Sequence, residues 1–364
     1  VSDERRARAA LSRLAEPRDL VVHQLLGQVG AAETVSRLCA GHGSLARFAA
    51  RVRTLNTDRD LEIAARVGAR LVIAGDDEWP VGLDDLAIPP WCLWVRGPLS
   101  LGAAARRSVA VVGSRTATAY GEQLASELSA SLVSRGWTVV SGAAFGIDAA
   151  AHRGALAVDG STVAVLAGGV DRVYPAANGP LLARIAASGA IASEVAPGSA
   201  PMKSRFLHRN RLIAAMTRGT VVVEADLRSG SRNTVGHASD LMRPVGAVPG
   251  PVTSMLSAGC HEEIRSGRAV LVTSAEEVVD LVGDLGVDAC EPLRGMSLVT
   301  DTLPINDLAV FDAIPFRRPV DLDTIARVTT LGPLVVRGCL ARLESSGLVE
   351  ADSGTWRRGR PSRR

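Results

Sequence analysis

Lysine is almost missing from this chain: Lys203 is the single one among 41 basic residues, and the others are arginine. A GC-rich coding bias accounts for much of that preference. Its physical consequence stands regardless, since nearly every cationic contact must be a guanidinium fork, suited to bidentate phosphate contacts and to stacking. Aromatic residues are scarce too, at 3% of 364 positions, which argues against broad base-stacking platforms. No apolar run reaches the roughly 18 residues of a membrane-spanning helix. The opening residues, VSDERRARAALSRL, are charged and lack the apolar stretch of a signal peptide. A cytoplasmic protein with no membrane partner is therefore expected. The five cysteines, Cys39, Cys92, Cys260, Cys290 and Cys339, are widely spaced, with no Cys-x-x-Cys pair and no Cys/His cluster. That spacing predicts buried free thiols and neither disulfides nor a metal.

Several catalytic signatures are also missing. The chain has no GxGxxG fingerprint and no GxxxxGK[ST] loop. It likewise lacks GxSxG and HExxH. No cofactor is expected, and no catalytic residue is assigned.

What is present is a repeated strand-and-turn pattern. SVAVVGSR (108–115) is a β-branched run that stops at Gly-Ser-Arg before a helical pattern. The same arrangement returns in WTVVSGAAFGID (137–148), STVAVLAGG (161–169), TVVVEADLRSGS (220–231) and PVGAVPG (244–250). Short strands alternating with helices predict an α/β fold with a mostly parallel sheet. Strands are expected near 109–113, 138–141, 162–167, 190–194, 220–224, 245–248 and 270–273, with a last helix at 274–286. Small residues at strand ends suit the approach of an anion to backbone N–H groups and helix N-termini.

The flanks read differently. Residues 1–75 are helical in pattern, and a Gly27-to-Gly30 turn between two helices suggests a helix-hairpin-helix or a plain helical cap. Segment 76–99, with three of the five tryptophans, reads as a connector packed on the core, which extends to 286. A linker at 287–304 precedes three helical patterns and a Ser-Gly hairpin at 305–356, the winged-helix order. A basic tail, 357–364, carries five arginines and no acid.

The candidate binding residues lie at the strand ends. Gly113, Ser114 and Arg115 combine close backbone approach, a hydrogen-bond donor and a charge. Ser141, Gly142, Phe145 and Gly146 form the next loop, where Asp148 is placed to cap the helix and His152 follows on the same face. Asp148 and His152 read as structural, with Glu194 and Glu224 as supporting carboxylates. RFLHRNRLIAAMT (205–217) is the strongest signal. Arg209, Asn210 and Arg211 read as opening an amphipathic helix, where positive charge opposes the helix dipole until an anion binds. Lys203 and the loop Ser229, Gly230, Ser231 and Arg232 complete the set. Between 201 and 243 eight basic residues face three acidic ones.

Taken in order, GSR (113–115), SGxxxGID…AH (141–152), AVLAGGVDxxYPxxN (164–178), SE (193–194), RNRLIA (209–214), VVVEA…SGS (221–231) and AVPG (247–250) resemble the DNA-processing protein A (DprA/Smf) family. The resemblance implies an extended Rossmann-like core that binds single-stranded DNA and forms a homodimer. It further implies a role in loading RecA recombinase during natural transformation or recombination. A SAM-like helical domain in front and a winged helix behind are usual for such proteins. Gly113 to Arg115, the 141–148 loop and Arg209 to Arg211 would then line the phosphate pocket. The chain departs from the family pattern at four places, one of them a pair of residues. Phe145 replaces a Lys or Arg, Leu207 a Pro, Arg232-Asn233 an apolar pair and His261 an Asn, which implies a variant groove on an unchanged fold. The competing reading is a nucleotide phosphoribohydrolase, but Gly168-Gly169 is followed by Val170-Asp171 and lacks that group's PGGxGTxxE loop.

Overall fold

The computed structural model describes residues 2–284, 286–288 and 299–359. The chain divides into two compact units, Val1–Cys290 and Glu291–Arg364.

In the first unit nine strands form one sheet. They are β1 (Ala69–Val72), β2 (Leu93–Arg96), β3 (Ser108–Gly113), β4 (Thr138–Ser141), β5 (Thr162–Val165), β6 (Ala190–Ser193), β7 (Gly219–Val223), β8 (Val245–Ala247) and β9 (Val270–Leu271). Their order is β1-β2-β6-β5-β4-β3-β7-β8-β9. From β6 to β9 every pairing is parallel, while β2 runs antiparallel to both β1 and β6. The strands β4 to β8 are buried along their whole length. Helices on both faces cover a parallel sheet, so its strands read as continuous apolar runs. Alternate side chains of β3 serve different cores: Val109 and Val111 pack with Leu128, Leu132 and Trp137, whereas Ala110 and Val112 pack with Leu212, Ile213 and Met216.

Three features differ from the sequence reading. Segment 76–99 is no mere connector, because it supplies β2, and β1 comes from the stretch expected to be helical. Both are short strands whose existence depends on pairing with β6 and with each other, a long-range contact that no local pattern records. The expected turn between two helices narrows to a single kink at Gly30. The helix Leu20–Ala40 is interrupted only at Gly30, where φ is 78°, and Gly27 stays within it. The helix carrying Arg209 to Arg211 spans Lys203–Met216, so these residues lie in its middle. Pro201 is the last helix breaker before Met216, and nothing in KSRFLH delays the start.

The second unit has helices Ile305–Asp312, Leu322–Thr329 and Pro333–Ser345, with strands β10 (Val320–Asp321), β11 (Val349–Asp352) and β12 (Thr355–Arg358). The strand order is β10-β12-β11. Ser353 (φ 49°) and Gly354 (φ 84°) make the tight β11–β12 turn, both in the left-handed region that such hairpins require. Val310, Ile325, Val336, Leu340 and Leu343 form its core. Much of the expected linker, the end of the basic tail and Cys290 lie outside the described residues. Cys92, Cys260 and Cys339 are buried and free, whereas Cys39, expected to be buried, is exposed. Among the described residues no helix is long and apolar enough to cross a membrane.

Candidate nucleic-acid interface

The chain leaves β3 in one direction along the sheet, through β4, β5 and β6, and then returns to the other side of β3 with β7. In parallel sheets such a reversal opens a crevice at the strand C-termini, where ligands bind. A cavity of about 370 Å³ lies there. Its lining includes Gly113, Ser114 and Arg115 after β3, Asp148 after β4, and Lys203, Phe206, Arg209 and Asn210 on the helix Lys203–Met216. Asp226, Ser229, Gly230 and Ser231 after β7 close it.

The β3 loop is held by its neighbour. Ser114 N–H donates to the Glu224 carbonyl at 2.7 Å. The Glu224 carboxylate accepts from Thr118 N–H at 2.8 Å and from the Thr118 hydroxyl. Glu224 reaches back because its φ is 48°, which turns the chain sharply as β7 ends. A Cβ on Gly113 would overlap the Val223 carbonyl, so the close strand approach needs glycine there. On each side of the crevice a serine folds its own loop: Ser114 Oγ accepts from Thr116 N–H at 3.2 Å and Ser229 Oγ from Ser231 N–H at 3.3 Å.

Arg209 is buried at the cavity floor. It donates to the Gly142 carbonyl at 2.7 Å and to the Val165 carbonyl, while its Nε has no partner. Gly142 lies under the guanidinium, and a Cβ there would overlap it. Burial pulls the Arg209 pKa down to about 10, with Asp148 opposing the shift and Arg115 adding to it. Arg209 and Arg115 both approach the Phe206 ring, their guanidinium carbons 5.9 and 5.0 Å from its centroid. The Tyr174 ring stands 5.6 Å from Phe206. Among the described residues Arg115 and Lys203 form no ion pair.

Other candidates lie elsewhere. Arg211 points away from the cavity into a buried ion pair with Glu194. Burial pushes the Glu194 carboxyl up and the Arg211 guanidinium down, and each charge offsets the penalty on the other. Arg232 adds no free charge to the loop, because it donates to Glu263 at 2.6 Å. Asp148 is not the N-cap. Gly146, at φ 69°, holds that place, and Asp148 accepts from Ala144 N–H at 3.3 Å from inside the first turn. Burial raises the Asp148 pKa. His152 is fully buried with Nδ1 2.7 Å from the Thr162 hydroxyl, and burial lowers its pKa to about 3. Because that hydroxyl donates to the Val139 carbonyl at 2.8 Å, His152 is the donor through Nδ1. Ser141 donates to the Val111 carbonyl at 2.6 Å behind the cavity. Phe145 is 48% exposed, between the lining residue Ala144 and Gly146, where an added Cβ would run into the Ser114 and Arg115 carbonyls. Residue-by-residue reading missed Phe206 and Asp226. An aromatic in a basic helix of an aromatic-poor chain was the available signal for Phe206.

The family model of DNA recombination-mediator protein A matches residues 70–283, from β1 to the helix after β9. The chain belongs to that family. The putative DNA processing protein DprA of Mycobacterium tuberculosis is 47% identical over 367 residues, covering 97% of this chain and 94% of that protein. Protein Smf of Synechocystis is 31% identical, covering 86% of each. Among solved structures, DNA processing protein A of Streptococcus pneumoniae matches with a TM-score of 0.66 at 31% identity, over 78% of this chain and 99% of that one. The Helicobacter pylori protein, solved to describe its single-stranded DNA binding mode, matches at 0.53 and 29% identity, over 58% and 94%. The recombination-mediator match thus covers the whole crevice just described.

Proposed function

We propose that this chain is a non-enzymatic recombination mediator that binds single-stranded DNA at the β3–β7 crevice. The observation that carries the reading is the pairing, at one cavity, of two cations without carboxylate partners among the described residues, Arg115 and Lys203, with loop amides and a half-buried aromatic, Phe206. Cations and amides read the phosphate backbone and not base edges, so little sequence preference follows. Gly113, Ser114, Asn210, Ser229, Gly230 and Ser231 supply the donors, and Arg209 the charge at the floor.

The finer reading follows the family's character as a mediator. Bound strand passes to RecA recombinase, in the cytoplasm, from a homodimer of this chain. The helices before β1 act as a SAM-like accessory and 305–356 as a winged helix, joined by the 287–304 linker, with the arginine-rich 357–364 tail beyond. The order of three helices and a hairpin supports the winged helix, and membership of a recombination-mediator family supports the hand-over.

The test is a mobility shift with single-stranded and duplex DNA across a salt series. Preference for the single strand is expected, with log K falling by roughly 0.7 per engaged phosphate against log salt. Arg115→Ala combined with Lys203→Ala lowers that slope. Salt-independent binding, or a preference for one duplex sequence, overturns the reading. RecA filament growth on coated strands, and sedimentation of the free protein, test the hand-over and the dimer.

A further inference from the structure

Three segments gather cations at a place distinct from the cavity. Glu16, in the turn between the first two helices, accepts from Arg205 at 2.8 and 2.7 Å and from Arg51 at 2.5 Å. That tie fastens the turn to the helix Lys203–Met216. His208 and Arg211 follow Arg205 at successive three-residue steps, so they extend along the same side of the helix. Arg18, two residues past Glu16, is exposed at φ 69° and forms no ion pair among the described residues. The helix Ser231–Asp240 is joined to the same helix through Asn210, which donates to Gly230 and Asn233 at 3.3 Å each, and it brings His237 in its last turn. Arg18 acts electrostatically on His208, Arg211 and His237 alike.

These groups lack acceptors. Arg211 Nε and Nη1, His208 Nδ1 and His237 Nε2 are buried without a hydrogen-bond partner. Of the carboxylates nearby, Glu194 is engaged with Arg211 and Glu16 with Arg205 and Arg51, while Asp240 lies near His237 without pairing to it. Buried polar atoms left unpaired carry their full desolvation penalty, which an anion with several acceptor oxygens would relieve for the guanidinium and for protonated imidazoles.

We propose that Arg18, His208 and His237, backed by Arg211, form a second anion site that takes a phosphate group. A phosphate presents oxygens in several directions and accepts charge-assisted bonds from donors arriving on three segments. The arginines stay charged, whereas the histidines titrate. Burial, then Arg18 and Arg211, hold the His208 pKa below the usual imidazole value, with Glu16 opposing and Arg205 adding. His237 is lowered by burial and by Arg18 and Arg211 against Asp240. A bound phosphate favours the protonated rings, so binding takes up protons and tightens as pH falls toward the lowered pKa values of the free rings. The phosphate is either a DNA backbone phosphodiester or a free ion. The first source rests on the DNA-binding reading above.

Imidazole C–H resonances of the full chain, assigned with His208→Gln and His237→Gln, test this while inorganic phosphate or a short oligothymidylate is added. Both resonances are expected to move and both pKa values to rise. Arg18→Asn, which tolerates the left-handed backbone, should weaken the effect roughly tenfold. Movement with phosphate alone assigns a free ion, and movement with the oligonucleotide alone assigns the strand; either supports the site. If the oligonucleotide binds yet neither probe moves the two histidines, the second site is overturned while the DNA reading stands. If the oligonucleotide does not bind at all, the DNA reading fails, and inorganic phosphate alone decides the site.

Discussion

Arg211 and Glu194 form an ion pair with side chains only 4% and 7% exposed, two residues along the helix from an arginine with a different task. Arg209 lies on the cavity floor, while Arg211 has its charge answered inside the protein. Removing one partner of a buried pair leaves the other uncompensated. Arg211→Ala should therefore lose about 3–5 kcal/mol of unfolding free energy. The double variant Arg211→Met with Glu194→Leu should recover most of it, because two apolar side chains need no partner. Denaturant unfolding of the three variants checks this, and a fully stable Arg211→Ala would show the pair to be idle.

Gly142 has no room for a side chain beneath the Arg209 guanidinium. Gly142→Ala should expel Arg209, break its bonds to the Gly142 and Val165 carbonyls, and weaken single-stranded DNA binding about as much as Arg209→Ala. The two changes act on one group, so the double variant should bind no worse than Arg209→Ala. Additive losses in a DNA titration would mean that they act separately.

Phe145 stands at the rim with half its surface exposed. Phe145→Arg places a cation beside Arg115, and one extra phosphate contact steepens the salt slope by about 0.7. An unchanged slope with weaker binding would instead assign Phe145 to stacking on a base.

His152 links stability to pH. The unfolded chain protonates this ring near the ordinary imidazole value of 6.5, whereas the folded chain resists until about pH 3. Between those values the unfolded state binds more protons, so stability falls with falling pH, by at most about 1.4 kcal/mol per unit from this group. His152→Gln should flatten that part of the profile. Unfolding titrations of both proteins between about pH 7 and about pH 4, whose difference isolates the ring, measure it.

The parallel strands β3 to β8 were legible in the sequence because burial on both faces leaves continuous apolar runs punctuated by glycine. The loops at their C-terminal ends were legible for the same reason, since small polar residues stop each run. β1 and β2 were not, because an edge strand of four residues is defined by its partner. Arg209 and Arg211 looked equivalent as letters two apart in RNR. On a helix that spacing turns side chains to different sides, and the helix began at Lys203, not at the motif. Arg232 looked like an added charge until Glu263, 31 residues on, was found beside it.

The sequence by itself determined the parallel α/β core, the placing of the anion-suited loops at strand ends and the family, all of which are written in local patterns and their order. Which arginines remain available to a ligand in the crevice was decided only by the tertiary structure. The charge on a guanidinium is the same everywhere, and only folding brings Glu194 to Arg211 and Glu263 to Arg232 while leaving Arg115 and Lys203 facing the crevice.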